Sequence, residues 1–267
     1  MDFKNAVYSK FGNDDRTWGV KGLINERKQI FTLGSDSKLI GRIFELITGG
    51  FLNEIAEENG YELVPSISQT VYPDFNLVKK DNNNKIIDII AVDVKTTYRR
   101  YTKTKNISKH SFTLGSFASF MRNNTKNIQF PYDSYSKHYI IGFIYDRAEY
   151  AVESIIDFSN LDKVESPYYN VEYFVEEKYK IAGDKPGSGN TENIGSFKSN
   201  SGEKYRAGKG PFSILGEEVF NDYWINYPKY REINKKYTDL PSYFEWLEKN
   251  GKDSYSLLEK YKEWDNN

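Results

Sequence analysis

The spacing of apolar residues is typical of a helix in some parts of the chain and of a strand in others. Residues 39–47 carry apolar side chains at helical spacing, directly after the capping sequence Leu33-Gly34-Ser35-Asp36. Gly49-Gly50 predicts a kink or break before the helical pattern resumes, and Gly60 predicts its end. The side of this helix opposite the apolar positions is expected to face solvent, and it carries Lys38, Gly41 and Glu45.

Strand spacing dominates the middle of the chain. Two apolar stretches, residues 72–78 and 86–97, flank an Asp- and Asn-rich segment, and this arrangement predicts a β-hairpin. Because successive strand residues point to opposite faces, Val92 and Val94 are expected in the core. Further strands are predicted at residues 112–115, 139–145, 171–175 and 179–182, a loop at 183–196, and helices at 2–11, 217–227, 241–249 and 254–264.

The hairpin carries three candidate chemical groups. Asp93 and Lys95 share the strand face opposite the two valines, and Asp74 stands at the start of the preceding strand. If the strands pair, the two carboxylates converge into an oxygen site suited to Mg²⁺, with Lys95 beside the ion. Such a set suits phosphodiester hydrolysis. Asp-x-Lys is common on strands, however, and by itself it is more typical of an exposed, salt-bridged strand face.

Composition narrows the chemistry further. The 267 residues carry a net charge of −1, so the bulk positive charge of an indiscriminate DNA binder is missing. The chain has no Cys and only two His, His110 and His138, which excludes disulfides, thiolate metal sites and multi-His metal sites. With 22 Tyr and 17 Phe it can bury a sizeable aromatic core. No apolar run reaches membrane-spanning length, and a soluble cytoplasmic protein is expected.

Two polar segments allow more than one interpretation. The basic run at residues 99–105 is typical of a surface loop, or of an arm that faces phosphates. The Gly-rich segment at residues 183–196 is typical of a flexible linker, or of a loop whose backbone approaches base edges closely. Composition alone favours the first interpretation in both cases.

Several short strings nevertheless occur together and in order. They are Leu33-Gly34-Ser35-Asp36, Tyr72-Pro73-Asp74-Phe75, Asp93-Val94-Lys95-Thr96-Thr97, Arg122-Asn123-Asn124-Thr125-Lys126-Asn127 and Gly187-Ser188-Gly189-Asn190-Thr191. Through them the chain resembles restriction endonucleases of the EcoRV family, within the PD-(D/E)xK nucleases, from about residue 3 to residue 250.

The resemblance implies an α/β (α+β) fold with a mixed central β-sheet flanked by helices. It implies a single nuclease domain over residues 1–267, with a recognition loop at 187–193 and a mostly helical C-terminal part from about residue 214. The implied activity is Mg²⁺-dependent cleavage of palindromic double-stranded DNA by a homodimer, at GATATC with blunt ends, with Mn²⁺ as a substitute ion. A cognate DNA methyltransferase is then expected in the same cell.

The resemblance also implies roles for individual residues. Asp74 and Asp93 would bind the metal, Lys95 would assist the attacking water, and Glu45 would be an accessory acidic group of the catalytic site, on a helix that faces it. The DNA-binding positions carried over are Lys38, Ser68, Gln69, Thr97, Thr113, Ser119, Asn124, Lys126, Gly187, Ser188, Gly189, Asn190, Thr191 and Asn193. The chain departs from the family pattern at Ser68, at Glu192 and in a tail after Gly251, so base specificity is carried over less directly than metal chemistry.

Two other functions share part of the pattern. A structure-specific or repair nuclease could use the same two carboxylates and lysine, but is not expected to have the Gly-Ser-Gly-Asn-Thr loop in register. A catalytically silent DNA-binding protein is the second alternative, and the complete carboxylate-carboxylate-lysine set argues against it.

Overall fold

The computed structural model describes residues 1–12, 15–187 and 192–266. In chain order, the helices are α1 (Phe3–Phe11), α2 (Ser37–Glu58), α3 (Lys178–Ile181), α4 (Gly202–Arg206), α5 (Phe212–Leu215), α6 (Glu217–Asn226), α7 (Leu240–Lys249) and α8 (Tyr255–Asp265). The strands are β1 (Gly22–Ile24), β2 (Gln29–Thr32), β3 (Glu62–Pro65), β4 (Phe75–Lys80), β5 (Ile86–Tyr98), β6 (Thr113–Ser116), β7 (Lys137–Arg147), β8 (Ile155–Asp157), β9 (Tyr168–Glu177), β10 (Ala182–Pro186) and β11 (Asn193–Ser196).

The central sheet is mixed, as expected for the fold class. Its strand order is β3-β4-β5-β7-β9, and only the β5–β7 pair is parallel. The predicted hairpin is the antiparallel pair β4–β5, closed by a turn in which Asp81 Oδ1 accepts hydrogen bonds from the backbone N–H groups of Asn83 and Lys85. Two smaller sheets, β1-β2-β8 and β10-β11-β6, lie outside the central sheet. The predicted mixed sheet flanked by helices is therefore confirmed.

Each face of the central sheet carries its own hydrophobic core. Ile90, Val92 and Val94 of β5 belong to the core that contains α1 and α2. Ile89 and Ala91, which alternate with them, belong to the core formed with the helices after residue 202. Both faces of β5 are thus covered, and its long apolar run follows from burial on two sides.

Helix α2 continues without a break through Gly49-Gly50, so the predicted kink is wrong. The helix begins at the Asp36 cap, whose Oδ1 accepts from the N–H groups of Lys38 and Leu39 at 3.0 Å each. A Cβ at Gly49 would lie 3.0 Å from the Phe75 ring. Gly49 therefore lets the helix lie close to β4, and burial along the helix outweighs the roughly 1 kcal/mol that a glycine costs.

The segment before the predicted recognition loop also differs from the prediction. Residues 179–182, predicted as a strand, form most of α3 and the first residue of β10. The predicted loop at 183–196 contains the two strands β10 and β11, which pair antiparallel with each other, and β11 pairs with β6. The helices predicted after residue 216 are present as α6, α7 and α8. Within the described ranges, no helix is long and apolar enough to cross a membrane.

Candidate active site

The register of β4 against β5 brings Asp74 to Asp93. Phe75 stands opposite Val92 in the antiparallel pair, so Asp74, one residue before β4, faces the position of Asp93. Asp74 Oδ2 accepts a hydrogen bond of 2.7 Å from the backbone N–H of Val94. That bond orients the Asp74 carboxylate across the end of the strand pair. The predicted convergence of the two carboxylates is present in the structure.

Lys95 completes the cluster. Its Nζ lies 2.6 Å from Asp93 Oδ2 and 3.9 Å from Asp74 Oδ2. The Asp93 side chain is 4% exposed, whereas those of Asp74 and Lys95 are each 24% exposed. The site is therefore closed on the Asp93 side and open to solvent on the side of the other two groups.

Burial and like charge perturb the titration of these groups. Burial, and then the charge of Asp93, raise the pKa of Asp74 to about 8, although Lys95 partly opposes this. Burial by itself would lower the pKa of Lys95, but the Asp93 and Asp74 carboxylates outweigh it and raise that pKa to about 12. The lysine is therefore a permanent cation beside a carboxyl group that is hard to ionise.

The two carboxylates fit a Mg²⁺ ion. Asp93 Oδ2 is buried and accepts no hydrogen bond of ordinary geometry from the described residues, and its close contact is the Lys95 ammonium. Nowhere in the described ranges do three or more His, Cys, Asp or Glu side chains gather into a possible metal site. Mg²⁺ usually takes one or two carboxylates and completes its octahedron with water and substrate phosphate. Asp74 and Asp93 are sufficient for that mode.

Glu45 approaches the site from α2 without joining the carboxylates. Its Oε2 accepts from Arg42 Nη1 at 2.7 Å, and its charge helps to raise the pKa of Lys95. A Cβ at Gly41, one turn earlier, would lie 3.3 Å from Thr96 Oγ1 of β5. The prediction that this face of α2 is solvated is therefore wrong at Gly41 and Glu45, which lie toward β5. It is correct at Lys38, which is exposed.

The base of the predicted recognition loop is anchored to β6 and the turn after it. Gly187 N–H donates to Asn193 O at 2.8 Å, and Glu192 O accepts from the N–H of Phe117 at 3.1 Å. A Cβ at Gly187 would lie 3.2 Å from Thr113 Oγ1. Thr113, Gly187 and Asn193, three of the predicted DNA-binding positions, therefore lie close together. The remaining predicted loop positions lie outside the described residues; they are Ser188, Gly189, Asn190 and Thr191.

The other predicted DNA-binding residues lie on two further segments and on β5. Ser119 Oγ donates to Lys126 O at 2.9 Å, and Asn124 Nδ2 donates to Asp133 Oδ1 at 2.9 Å, so both side chains shape the turn that exposes Lys126. Ser68 and Gln69 are exposed between β3 and β4, and Thr97 is partly buried in β5.

Lys178 in α3 is a buried cation near this site that the sequence pattern does not reveal, and it is 1% exposed. It follows two glutamates, Glu176 and Glu177, in a stretch that has the composition of a surface turn. No local signal distinguishes it from an exposed lysine. Its position depends on how α3 packs beneath the sheet.

Comparison with known proteins identifies the family. The family model described as "Restriction endonuclease EcoRV" matches residues 14–248. The type II restriction enzyme EcoRV of Escherichia coli is 40% identical over 249 residues, which cover 92% of this chain and 96% of that protein. The chain thus belongs to the EcoRV family of restriction endonucleases and is a type II, site-specific deoxyribonuclease.

Proposed function

We propose that this nuclease hydrolyses DNA with Mg²⁺ held by Asp74 and Asp93, and that Mn²⁺ can replace it. The observation that carries this proposal is the convergence of two carboxylates and the Lys95 ammonium within 4 Å at a partly open site. An ion bound there would supply the charge that polarises a phosphate and lowers the pKa of a bound water.

Each side chain has a defined part in this proposal. Asp93 is shielded from solvent and would bind the ion from the buried side. Asp74 would supply the second carboxylate ligand from the side that is open to solvent. Lys95 faces the same opening, where its ammonium can offset negative charge on the phosphate oxygens and orient the attacking water. Glu45 acts as an accessory group through its charge on Lys95.

We further propose a GATATC-like recognition site cut with blunt ends, as the family resemblance implies. Loop 187–193 has its ends fixed by the strand pair β10–β11, which can present glycine backbone and the Asn190 side chain to base edges in the major groove. The loop with Ser68 and Gln69 would face the minor groove. Lys38, Thr97, Thr113, Ser119, Asn124 and Lys126 would contact or position the phosphate backbone.

We propose that the active form is a homodimer, since a palindromic site has two-fold symmetry. An exposed apolar surface on and beside sheet β1-β2-β8 supports this, because such patches mark interaction sites. Leu23, Phe31 and Ile155 stand opposite one another on one face of that sheet, and Phe158 and Leu161 follow β8. We also propose that the whole chain forms one nuclease domain and works in the cytoplasm beside a cognate methyltransferase.

Removal of any of the three central groups should stop cleavage. Asp74→Ala, Asp93→Ala and Lys95→Ala should each lower the single-turnover rate at least ~100-fold, because each removes charge stabilisation that is largest in the transition state. Chelation of divalent ions should abolish cleavage by the wild type. A variant that cleaves plasmid DNA at a rate near wild type would contradict the assignment of that residue.

The free energy of unfolding of the metal-free protein should depend on the protonation of Asp74. The pKa of this carboxyl is about 8 in the folded state, against an ordinary value of 3.8. Its protonation therefore favours the folded state below about pH 4, and that contribution is lost as the pH rises through about 8. Asp74→Asn lacks this titration, so its stability should rise relative to wild type between about pH 5 and pH 8, by up to ~1.4 kcal/mol per pH unit.

Urea denaturation at several pH values measures this difference. Added Mg²⁺ should stabilise the wild type more than Asp74→Asn, since a ligand stabilises the state that binds it. A stability difference between the two proteins that does not change with pH would show that Asp74 ionises freely in the folded protein.

Mapping of cut sites tests the recognition loop. Asn190→Ala should lose roughly 1–3 kcal/mol of discrimination per lost bidentate contact with adenine. Glu192→Thr should leave the cut sites unchanged, because Glu192 is held by its backbone carbonyl, which accepts from Phe117 N–H and Ser116 Oγ. Sequenced ends from plasmid digests show both results. A new recognition sequence in the Glu192 variant would mean that its carboxylate reads bases.

The oligomeric state can be changed at the exposed apolar surface. Leu23→Asp places a charge where Leu23 is 53% exposed, on the sheet face that also carries Phe31, and it should shift the protein from dimer to monomer at micromolar concentration. Ile233→Asp is the matched control, since Ile233 is 95% exposed in the segment between α6 and α7. Sedimentation velocity distinguishes the outcomes: a wild-type monomer that remains monomeric on its DNA contradicts the dimer.

A further inference from the structure

Lys178 is an internal cation that the proposed chemistry does not use. The residue is 1% exposed, and its Nζ has no hydrogen-bond partner among the described residues. Burial lowers the pKa of Lys178 to about 7, although the negative charge of Asp93 opposes this shift. An ammonium without a partner destabilises a folded core. Stability of the fold therefore does not explain a lysine at this position.

Aromatic rings surround the Lys178 ammonium. Its Nζ lies 4.5 Å from the centroid of the Tyr72 ring, 4.8 Å from that of Phe120 and 5.8 Å from that of Tyr132. These are cation–π distances, and such contacts are strongest where water is excluded. The cage defined by Tyr72, Phe120 and Tyr132 is thus the environment in which Lys178 carries its charge.

Tyr72 connects this cage to the metal carboxylates. It stands two residues before Asp74, and its ring stacks on Phe120 with centroids 4.3 Å apart. The Tyr72 hydroxyl is 2.9 Å from His138 Nδ1, and burial, followed by the charge of Lys178, lowers the pKa of His138 well below its usual value. The Nδ1 of a neutral His138 can accept a hydrogen bond from the Tyr72 hydroxyl, so the Tyr72 side chain is held both at its hydroxyl and at its ring.

The same tyrosine is tied to the predicted DNA-backbone segment. Tyr72 N–H donates to Asn127 O at 3.0 Å, and Gln129 N–H donates to Tyr72 O at 3.0 Å. Phe120 follows Ser119, whose hydroxyl closes the turn that exposes Lys126. Lys178 itself precedes β10, the strand that leads to the recognition loop. Three segments therefore meet at the cage: one before Asp74, one proposed to face phosphates and one leading to the loop.

We propose that Lys178 is a positioning residue for DNA cleavage, whose ammonium holds Tyr72, and with it the Tyr72-Pro73-Asp74 segment, in register with the segment that contains Phe120. The charge of the side chain, and not its volume, is what the chemical step requires. This inference rests on the proposed metal-binding role of Asp74.

The test uses Lys178→Met in the full-length protein. Methionine keeps the length of the side chain and packs well against aromatic rings, but it removes the charge. Lys180→Met is the matched control: it makes the same change in the same helix, at a lysine that pairs instead with Glu177 at 2.7 Å. Single-turnover cleavage at saturating Mg²⁺ is measured at about pH 6, where Lys178 with a pKa of about 7 is mostly charged. A range of enzyme concentrations separates the plateau rate from the half-saturating concentration. Thermal unfolding is followed in parallel.

Lys178→Met should lower the plateau rate at least ~10-fold, with a half-saturating concentration within ~3-fold of wild type. Its unfolding temperature should be equal or higher, because a buried unpaired cation has been removed. Lys180→Met should cleave at the wild-type rate. Lys178→Arg, which restores charge, should cleave faster than Lys178→Met.

Two results would overturn the inference. A folded Lys178→Met with a wild-type plateau rate would show that the charge is dispensable. A Lys178→Met that unfolds at a clearly lower temperature would show that the cation serves the fold. Asp74→Ala in the same assay keeps the two proposals apart: if Asp74→Ala loses cleavage while Lys178→Met cleaves at the wild-type rate, the role of Lys178 is contradicted and the metal site is not.

Discussion

The hydrogen bond from the Val94 N–H to the Asp74 carboxylate is the contact on which the site depends. It exists because β4 and β5 pair with Phe75 opposite Val92, which leaves Asp74 opposite Asp93 at the end of the ladder. A shift of one residue in this register would move the Phe75 and Val92 side chains out of their core and separate the carboxylates. The hydrophobic packing that fixes the register therefore also fixes the geometry of the site.

The charged groups of the site reduce the stability of the fold that holds them. The Asp74 and Asp93 carboxylates lie close together at a site that is largely shielded from water, and the pKa of Asp74 is raised as a result. Lys95 offsets part of that negative charge. Lys178 is a second buried cation nearby, and its ammonium has no hydrogen-bond partner among the described residues. Packing around β5 tolerates these groups because both faces of the strand are covered by large cores. Such local conflicts between stability and charge are typical of functional sites.

Short contacts connect the segments proposed to face DNA. Glu192 O accepts from Ser116 Oγ, and Ser116 Oγ in turn accepts from Ser119 N–H, so the base of the recognition loop is linked to the turn before Lys126. Membership of a restriction-endonuclease family decides against a catalytically silent protein.

The sequence by itself determined what depends on local spacing. Alternation from residue 91 to 96 placed Val92 and Val94 in the core and Asp93 with Lys95 on the other face, and the collinear motifs identified the family. Packing between distant residues decided the rest. Gly49 allows an unbroken α2 because the Phe75 ring lies against it, and Glu45 turns toward β5 because its helix packs there. Lys178 looks like a surface lysine in sequence and is buried, because only the tertiary structure brings Tyr72, Phe120 and Tyr132 around it.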